Sequence, residues 1–290
     1  MSSPSVAAVL VHFRTPQVLA RSLAALRVQS LPLNATLVVD NSARLDGANQ
    51  PPVAGSDWQW LPAPTNIGFA AACNLGAART ASEYLLFVNA DLTLEPEACS
   101  MLLRAAQDHP DAAVVGPRIF GADGQIELSA RQDPTILDGL LGRRTLVTRI
   151  LRMIGLIPPT LALAMGPASQ VDWTSGACMF VRRSAFEEVG GFDEGYWMYW
   201  EDADFCRRLR AAGWSIRFEP AARGHHMTGS SGTSEQTVRA FHASAARFYA
   251  RHIARHTLSR QTAAVLLRLR CKLLILRARS HRSPEVRGSA

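Results

Sequence analysis

Three short stretches carry side chains suited to a charged substrate. In "LLFVNADLTLEPEA" (85 to 98), Asn89 and Asp91 stand two residues apart, directly after an apolar run. In "YWEDADF", Glu201, Asp202 and Asp204 follow the aromatic cluster Tyr196, Trp197, Tyr199 and Trp200. In "RGHHMTG", His225 and His226 are adjacent. Oxygen and imidazole donors suit a divalent ion such as Mg²⁺ or Mn²⁺. Such ions take one or two protein carboxylates and complete their shell with phosphate and water. A carboxylate desolvated by neighbouring rings suits a general base, and the rings themselves suit stacking on a sugar.

Each stretch also has a plain structural reading. Asn89 and Asp91 fit a strand-ending turn. The acids from 201 to 204, with Arg207, Arg208 and Arg210 further on, complement a helix dipole. A histidine in a polar loop is often structural. Two further groups sit in similar positions. Asp40, in "LVVDNS", fits either an Asx-turn or a contact to a nucleobase or ribose. Asn66 and Gly68, in "TNIGFAAACNLG", fit either a tight turn or an anion-binding helix start. No G-x-G-x-x-G or G-x-x-x-x-G-K-[ST] lies near them, which removes the best evidence for a dinucleotide site or a P-loop.

The elements that must position these groups alternate. Residues 5–13, 35–43, 85–88 and 112–120 read as buried strands, and helical patterns begin near 15, 66 and 95. Near-continuous apolar strands between helices predict an α/β fold, with a mainly parallel, Rossmann-like sheet covered on both faces. Ligands of such sheets bind beyond the C-terminal strand ends. His12, Asp40, Asn89 and Asp91 all fall there. Residues 121–170 read as irregular. Strands are expected at about 177–183 and 215–220, a loop from 222 to 235, and helix beyond.

Composition narrows the class. The 290 residues are 48% hydrophobic and 19% charged, as in globular proteins. Five scattered cysteines without a C-x-x-C pair argue against a disulfide framework or zinc site and for a reducing compartment. The N-terminus shows no secretory signal pattern. No run of about eighteen uninterrupted apolar residues occurs; the nearest, 145 to 165, is broken by Arg149, Arg152 and Pro158-Pro159. Residues 239 to 290 hold twelve Arg/Lys and one acid, whereas the first 238 hold nineteen bases and twenty-three acids. A basic tail on a mildly acidic body attracts anionic lipid or nucleic acid. No aromatic interleaving favours nucleic acid.

Taken in order, "AAVLVHFRTP", "LVVDNSA", "NIGFAAACNLGA", "LLFVNADLTLEPEA", "GACMFVRRSAFEEVGGFDE", "YWEDADFCRRLRAAGW" and "HHMTGSSG" resemble the family 2 glycosyltransferases. The likeness is to their rhamnosyltransferase-like bacterial branch and covers about residues 5–255. It implies a glycosyltransferase A-type fold: a nucleotide-sugar-binding half (1–120), an acceptor-binding and catalytic half of the same domain (121–235), and a helical basic extension (236–290). It implies inverting transfer from a nucleotide-diphosphate sugar, dTDP-rhamnose being the family-level choice, to a cell-surface glycan or polyprenyl-linked acceptor.

By position, the resemblance gives Asp202 as base within the Glu201-Asp202 pair. His12, Asp40, Asn66, Gly68, Asn74, Asn89, Gly176 and Trp200 would contact substrate. Asp91 and His226 would hold the divalent metal. Asn89 departs from the family's D-x-D pattern; Asn-x-Asp is common in this branch, and the departure weakens the case for metal affinity. The expected location is cytoplasmic, peripheral on the inner face of the plasma membrane through the basic tail. The rival readings are a non-catalytic nucleotide-sugar-binding protein of the same fold and a nucleotidyltransferase.

Overall fold

The computed structural model describes residues 4–42, 57–133, 162–227, 234–254 and 256–280. The first stretch of chain runs β1 (Val6–His12), α1 (Pro16–Arg27), β2 (Ala35–Asp40), β3 (Gln59–Pro62), α2 (Phe69–Ala77), β4 (Tyr84–Asn89), β5 (Leu92–Leu94), α3 (Ala98–Asp108) and β6 (Ala112–Phe120). Then follow β7 (Ala130–Arg131), α4 (Ala162–Met165), β8 (Ser169–Val171), β9 (Trp173–Thr174), β10 (Cys178–Arg182) and α5 (Arg183–Glu188). Last come α6 (Glu201–Ala211), β11 (Ser215–His226), α7 (Glu235–His252) and α8 (Thr257–Ser280). The apolar-basic stretch from 145 to 161 and the loop residues 228–233 lie outside the described residues.

Strand order in the main sheet is β3-β2-β1-β4-β10-β6-β11-β5, with β8 also on β11. Strands β3, β2, β1 and β4 are mutually parallel. Strand β10 runs antiparallel between β4 and β6, and β11 returns parallel to β6. Six of the nine strands therefore run in one direction, as the alternation of strands and helices predicts, and β10, β5 and β8 run against them.

Side-chain alternation explains why these strands are apolar throughout. Val6, Ala8, Leu10, Leu86 and Val88 join one core with Leu19, Leu23 and Leu26 of α1 and Leu102 of α3. On the other face Phe87 packs tilted against Phe186 of α5 and edge-on against Phe192. Helix α2 approaches that face so closely that a Cβ on Gly76 would lie 2.4 Å from Val9 Cγ1.

Five elements depart from expectation. Strand β11 continues through His226, where a loop is expected from residue 222. A register irregularity between Glu219 and Arg223 accommodates Pro220, and pairing resumes beyond it with β5 and β6. Short strands β3, β7, β8 and β9 lie in segments whose sequence shows no strand pattern; the tertiary pairing recruits them.

The chain forms two compact units. The first comprises Met1–Asp133, Pro159–Trp197 and Glu201–Ser230 and contains the whole sheet. The second comprises Pro134–Pro158, Met198–Trp200 and Ser231–Ala290. In it, Ser234 caps α7 by accepting the Thr237 N–H, and Phe248 and Tyr249 of α7 are buried. No helix among the described residues is long and apolar enough to cross a membrane.

Candidate active site

Parallel pairing aligns the polar strand ends. His12 pairs in register with Asp40, and Asn89 with Val11 on the opposite neighbour of β1. These residues therefore share the C-terminal edge of the sheet, where α/β sheets bind ligands. The His12 ring is wholly buried and lies 5.8 Å from Trp60. Asp40 is also buried; its Oδ1 accepts the Ser42 N–H, an Asx-turn. Its Oδ2 is buried with no hydrogen-bond partner among the described residues. The turn and a remaining acceptor coexist in one carboxylate.

Gly68 is fixed from three directions. Asn41 donates to its carbonyl at 2.9 Å and accepts the Ile67 N–H, while Asn66 Oδ1 accepts the Gly68 N–H at 3.1 Å. Its φ of 87° suits glycine, and an added Cβ would lie 2.4 Å from the Trp197 carbonyl oxygen. That same oxygen accepts the Phe69 N–H at 2.7 Å. The first N–H of α2 is thus engaged within the protein rather than offered to an anion. Asn74, expected at the substrate, has both ends of its amide engaged elsewhere. Its Nδ2 donates to the Phe192 carbonyl and Glu194, and its Oδ1 accepts the Phe192 N–H. Asn74 positions the Gly190-Gly191-Phe192 turn.

The acidic pair divides. Asp202 Oδ2 accepts the backbone N–H of Gly176 at 2.9 Å. One residue on, the Ala177 carbonyl accepts the Asn89 N–H, which ties this loop to the end of β4. Glu201 faces inward, and its Oε2 has no hydrogen-bond partner among the described residues. Burial, reinforced by the charge of Asp202, holds its carboxyl well above the usual range. The desolvation expected to raise the base falls on Glu201. Asp204 is wholly buried, accepting from Tyr196 Oη at 3.2 Å and pairing with Arg208 at 2.7 Å. Arg208 in turn donates to the carbonyls of Val189 and Gly191.

The aromatic cluster is not an exposed stacking wall. Tyr196 is wholly buried. Trp200, expected against substrate, is 4% exposed and packs among Phe241, Phe248 and Tyr249. Tyr199 and Trp200 both adopt left-handed backbone, φ 67° and 68°, a costly conformation for aromatic residues.

Antiparallel pairing of β5 with β11 brings Asp91 to the histidines: His226 pairs with Leu92, and the Met227 N–H donates to the Asp91 carbonyl. Successive strand residues face opposite ways, so the two histidines separate. His225 stacks on Phe120 and bonds Glu95 at 2.9 Å. His226 places Nε2 4.0 Å from Asp91 Oδ1 and bonds Glu127 Oε2 through Nδ1 at 2.8 Å. Burial disfavours its protonation, but the Glu127 hydrogen bond and charge, with the Asp91 charge, outweigh this and raise its pKa.

Asp91 and His226 offer one carboxylate and one imidazole, and Glu127 orients the imidazole as a carboxylate behind a ligating histidine does. Among the described residues no group of three or more metal-ligating side chains forms a site. Two donors fit an ion whose shell is completed by phosphate and water, not a free-standing cage. Glu127 and Asn41 carry weight that the sequence reading did not assign. Asn41 had a signal, since "DNS" and "TNIG" are both turn-forming; Glu127, in an irregular segment, had none.

The sequence profile described as "Glycosyl transferase family 2" matches residues 7–190, and one described as "Glycosyl transferase family group 2" matches 157–280. The N-acetylglucosaminyl-diphospho-decaprenol L-rhamnosyltransferase of Mycobacterium tuberculosis is 34% identical over 244 residues, covering 77% of this chain and 76% of its own. Rhamnosyltransferase WbbL of Escherichia coli is 50% identical over 56 residues, 19% of this chain and 21% of its own. The crystal structure of GalNAc-T7 with UDP, GalNAc and Mn²⁺ superposes with a TM-score of 0.60 at 15% identity. It covers 93% of this chain and 54% of GalNAc-T7, a likeness of fold. The protein thus belongs to glycosyltransferase family 2, related to bacterial rhamnosyltransferases, and has the A-type fold on which this family moves a sugar from a nucleotide-diphosphate donor to an acceptor.

Proposed function

We propose that the protein is an inverting glycosyltransferase that moves rhamnose from dTDP-rhamnose to a polyprenyl-linked or cell-surface glycan acceptor. The observation that carries the reading is Asp202. It is a partly exposed carboxylate held by the Gly176 N–H beside the strand edge formed by His12, Asp40 and Asn89. The name of the mycobacterial relative supports the choice of sugar and lipid-linked acceptor.

In this reading Asp202 removes the acceptor hydroxyl proton as that oxygen attacks the anomeric carbon and the nucleoside diphosphate departs from the opposite face. Glu201 is buried with its carboxyl pKa pushed up, whereas Asp202 is partly exposed at the site. Asp40 Oδ2, a buried acceptor, suits an N–H of the base or a ribose hydroxyl. Asn66 and Gly68 shape the neighbouring turn, and Asn89 closes the edge. Asp91 and His226 would hold a divalent ion, Mg²⁺ or Mn²⁺, which when bound neutralises charge on the diphosphate. Glu127 keeps His226 Nε2 turned toward Asp91.

The test incubates the purified protein with a panel of nucleotide sugars, Mg²⁺ or Mn²⁺, and a polyprenyl-diphospho-N-acetylglucosamine acceptor, with products read by mass spectrometry. Transfer of deoxyhexose from dTDP-rhamnose is expected. Transfer only from another donor would overturn the sugar assignment. Donor binding with neither transfer nor hydrolysis would favour a non-catalytic nucleotide-sugar-binding protein. Calorimetry with Mn²⁺ should show weak binding alone and tighter binding with dTDP. Equal binding with and without dTDP would refute a shell completed by phosphate.

A further inference from the structure

The last helix is apolar on two opposite faces. Ala263, Leu267, Cys271 and Ile275 of α8 recur every four residues and are buried. Cys271 Sγ lies 4.0 Å from the Val238 carbonyl of α7, which identifies this stripe as the packed one. The opposite stripe contains Leu258, Val265, Leu266, Leu269, Leu273 and Leu276, all exposed. Leu269, Leu273 and Leu276 are 52%, 57% and 60% exposed, so more than half of each side chain meets solvent. A row of six large apolar side chains along one helix is far from the scattered single exposures of ordinary surfaces.

The charges around that row decide what covers it. Helix α8 contains no acid. Arg268 and Lys272 lie along one flank and Arg270 and Arg277 along the other. Leu266, Leu269, Leu273 and Leu276 also have the alternating three-four spacing of a coiled-coil seam. A second copy zipped along it would bring Arg277 (an e position) and Lys272 (a g position) against the same cations of its partner, while Arg270 reaches His242 of α7 at 3.2 Å. Parallel or antiparallel, the flanking contacts would repel. An anionic bilayer surface satisfies both features. Leucines enter the acyl boundary, while long cationic side chains reach back to the head groups.

We propose that α8 is an interfacial membrane-binding helix, lying flat on an anionic bilayer through its Leu258–Leu276 face. The inference concerns the second unit alone and holds independently of which sugar is transferred.

The test floats the full-length protein with vesicles of pure phosphatidylcholine and vesicles containing phosphatidylglycerol. Binding to the second, weakened by salt, is expected. The exposed-site double substitution Leu269→Glu and Leu273→Glu should weaken it at least tenfold per leucine, to about a hundredfold. The triple substitution Arg268→Gln, Lys272→Gln and Arg277→Gln should abolish the preference for anionic vesicles. Unchanged melting temperatures and unchanged turnover with a water-soluble acceptor confirm that both variants fold. Absence of binding by the unaltered protein, or equal binding by the leucine variant, overturns the proposal. So does a concentration-dependent dimer that the leucine variant disperses, without any vesicle binding, since the second copy would then be the occupant.

Discussion

The backbone N–H of Gly176 donates to Asp202 Oδ2 at 2.9 Å and that of Ala203 to Oδ1 at 2.8 Å, so main-chain donors aim the carboxylate. The direct consequence concerns Asp202→Asn. It keeps the size of the group and removes its basicity. Turnover should fall about 10²- to 10⁴-fold, with the donor dissociation constant unchanged in calorimetry. Turnover within a few-fold of the unaltered protein would exclude Asp202 as base.

Gly68 and Gly176 should differ in their response to alanine. At Gly68 the backbone is left-handed and a Cβ would meet the Trp197 carbonyl, so Gly68→Ala should cost about 1–3 kcal/mol in urea unfolding. At Gly176 the nearest atoms to a new Cβ are Asp202 Cβ at 3.4 Å and Phe69 Cε1 at 3.6 Å, ordinary contact distances. Gly176→Ala should therefore leave stability within about 1 kcal/mol.

Asp204 should matter to the fold. Its carboxylate is wholly buried against Tyr196 and Arg208. Asp204→Ala leaves the Arg208 charge without its ion partner and should destabilise by about 3–5 kcal/mol. Tyr196→Phe, which removes one hydrogen bond, should cost about 1 kcal/mol. Denaturant midpoints of the two variants distinguish these sizes.

Glu201 predicts a pH dependence. Its folded-state pKa lies above the ordinary 4.5. The folded protein therefore holds this proton more tightly than the unfolded chain. That contribution is complete below the unfolded value and is lost as pH rises through the folded value. Glu201→Gln removes the penalty of ionising a buried group. Its melting temperature should exceed that of the unaltered protein most at the alkaline end of a series from about pH 5 to 9. Parallel curves for the two proteins would show that Glu201 does not titrate in this way.

The parallel half of the sheet was legible because each strand is a short apolar run ending in polar residues, and each intervening helix has an apolar face. The same pattern places His12, Asp40 and Asn89 at one edge. The antiparallel insertion of β10 and the extension of β11 past Pro220 were not legible. Both depend on partners distant in sequence, and neither leaves a local period.

The sequence by itself therefore determined the α/β class, the strand-end gathering of polar groups and the family, since ordered motifs survive as text. Only the tertiary structure decided among neighbours of the same type. Strand alternation selects His226 over His225 beside Asp91, and burial withdraws Glu201 from Asp202. Packing inside the second unit turns Trp200 into core. Each outcome depends on which way a side chain points once distant segments meet, and the residue's own identity carries no record of that direction.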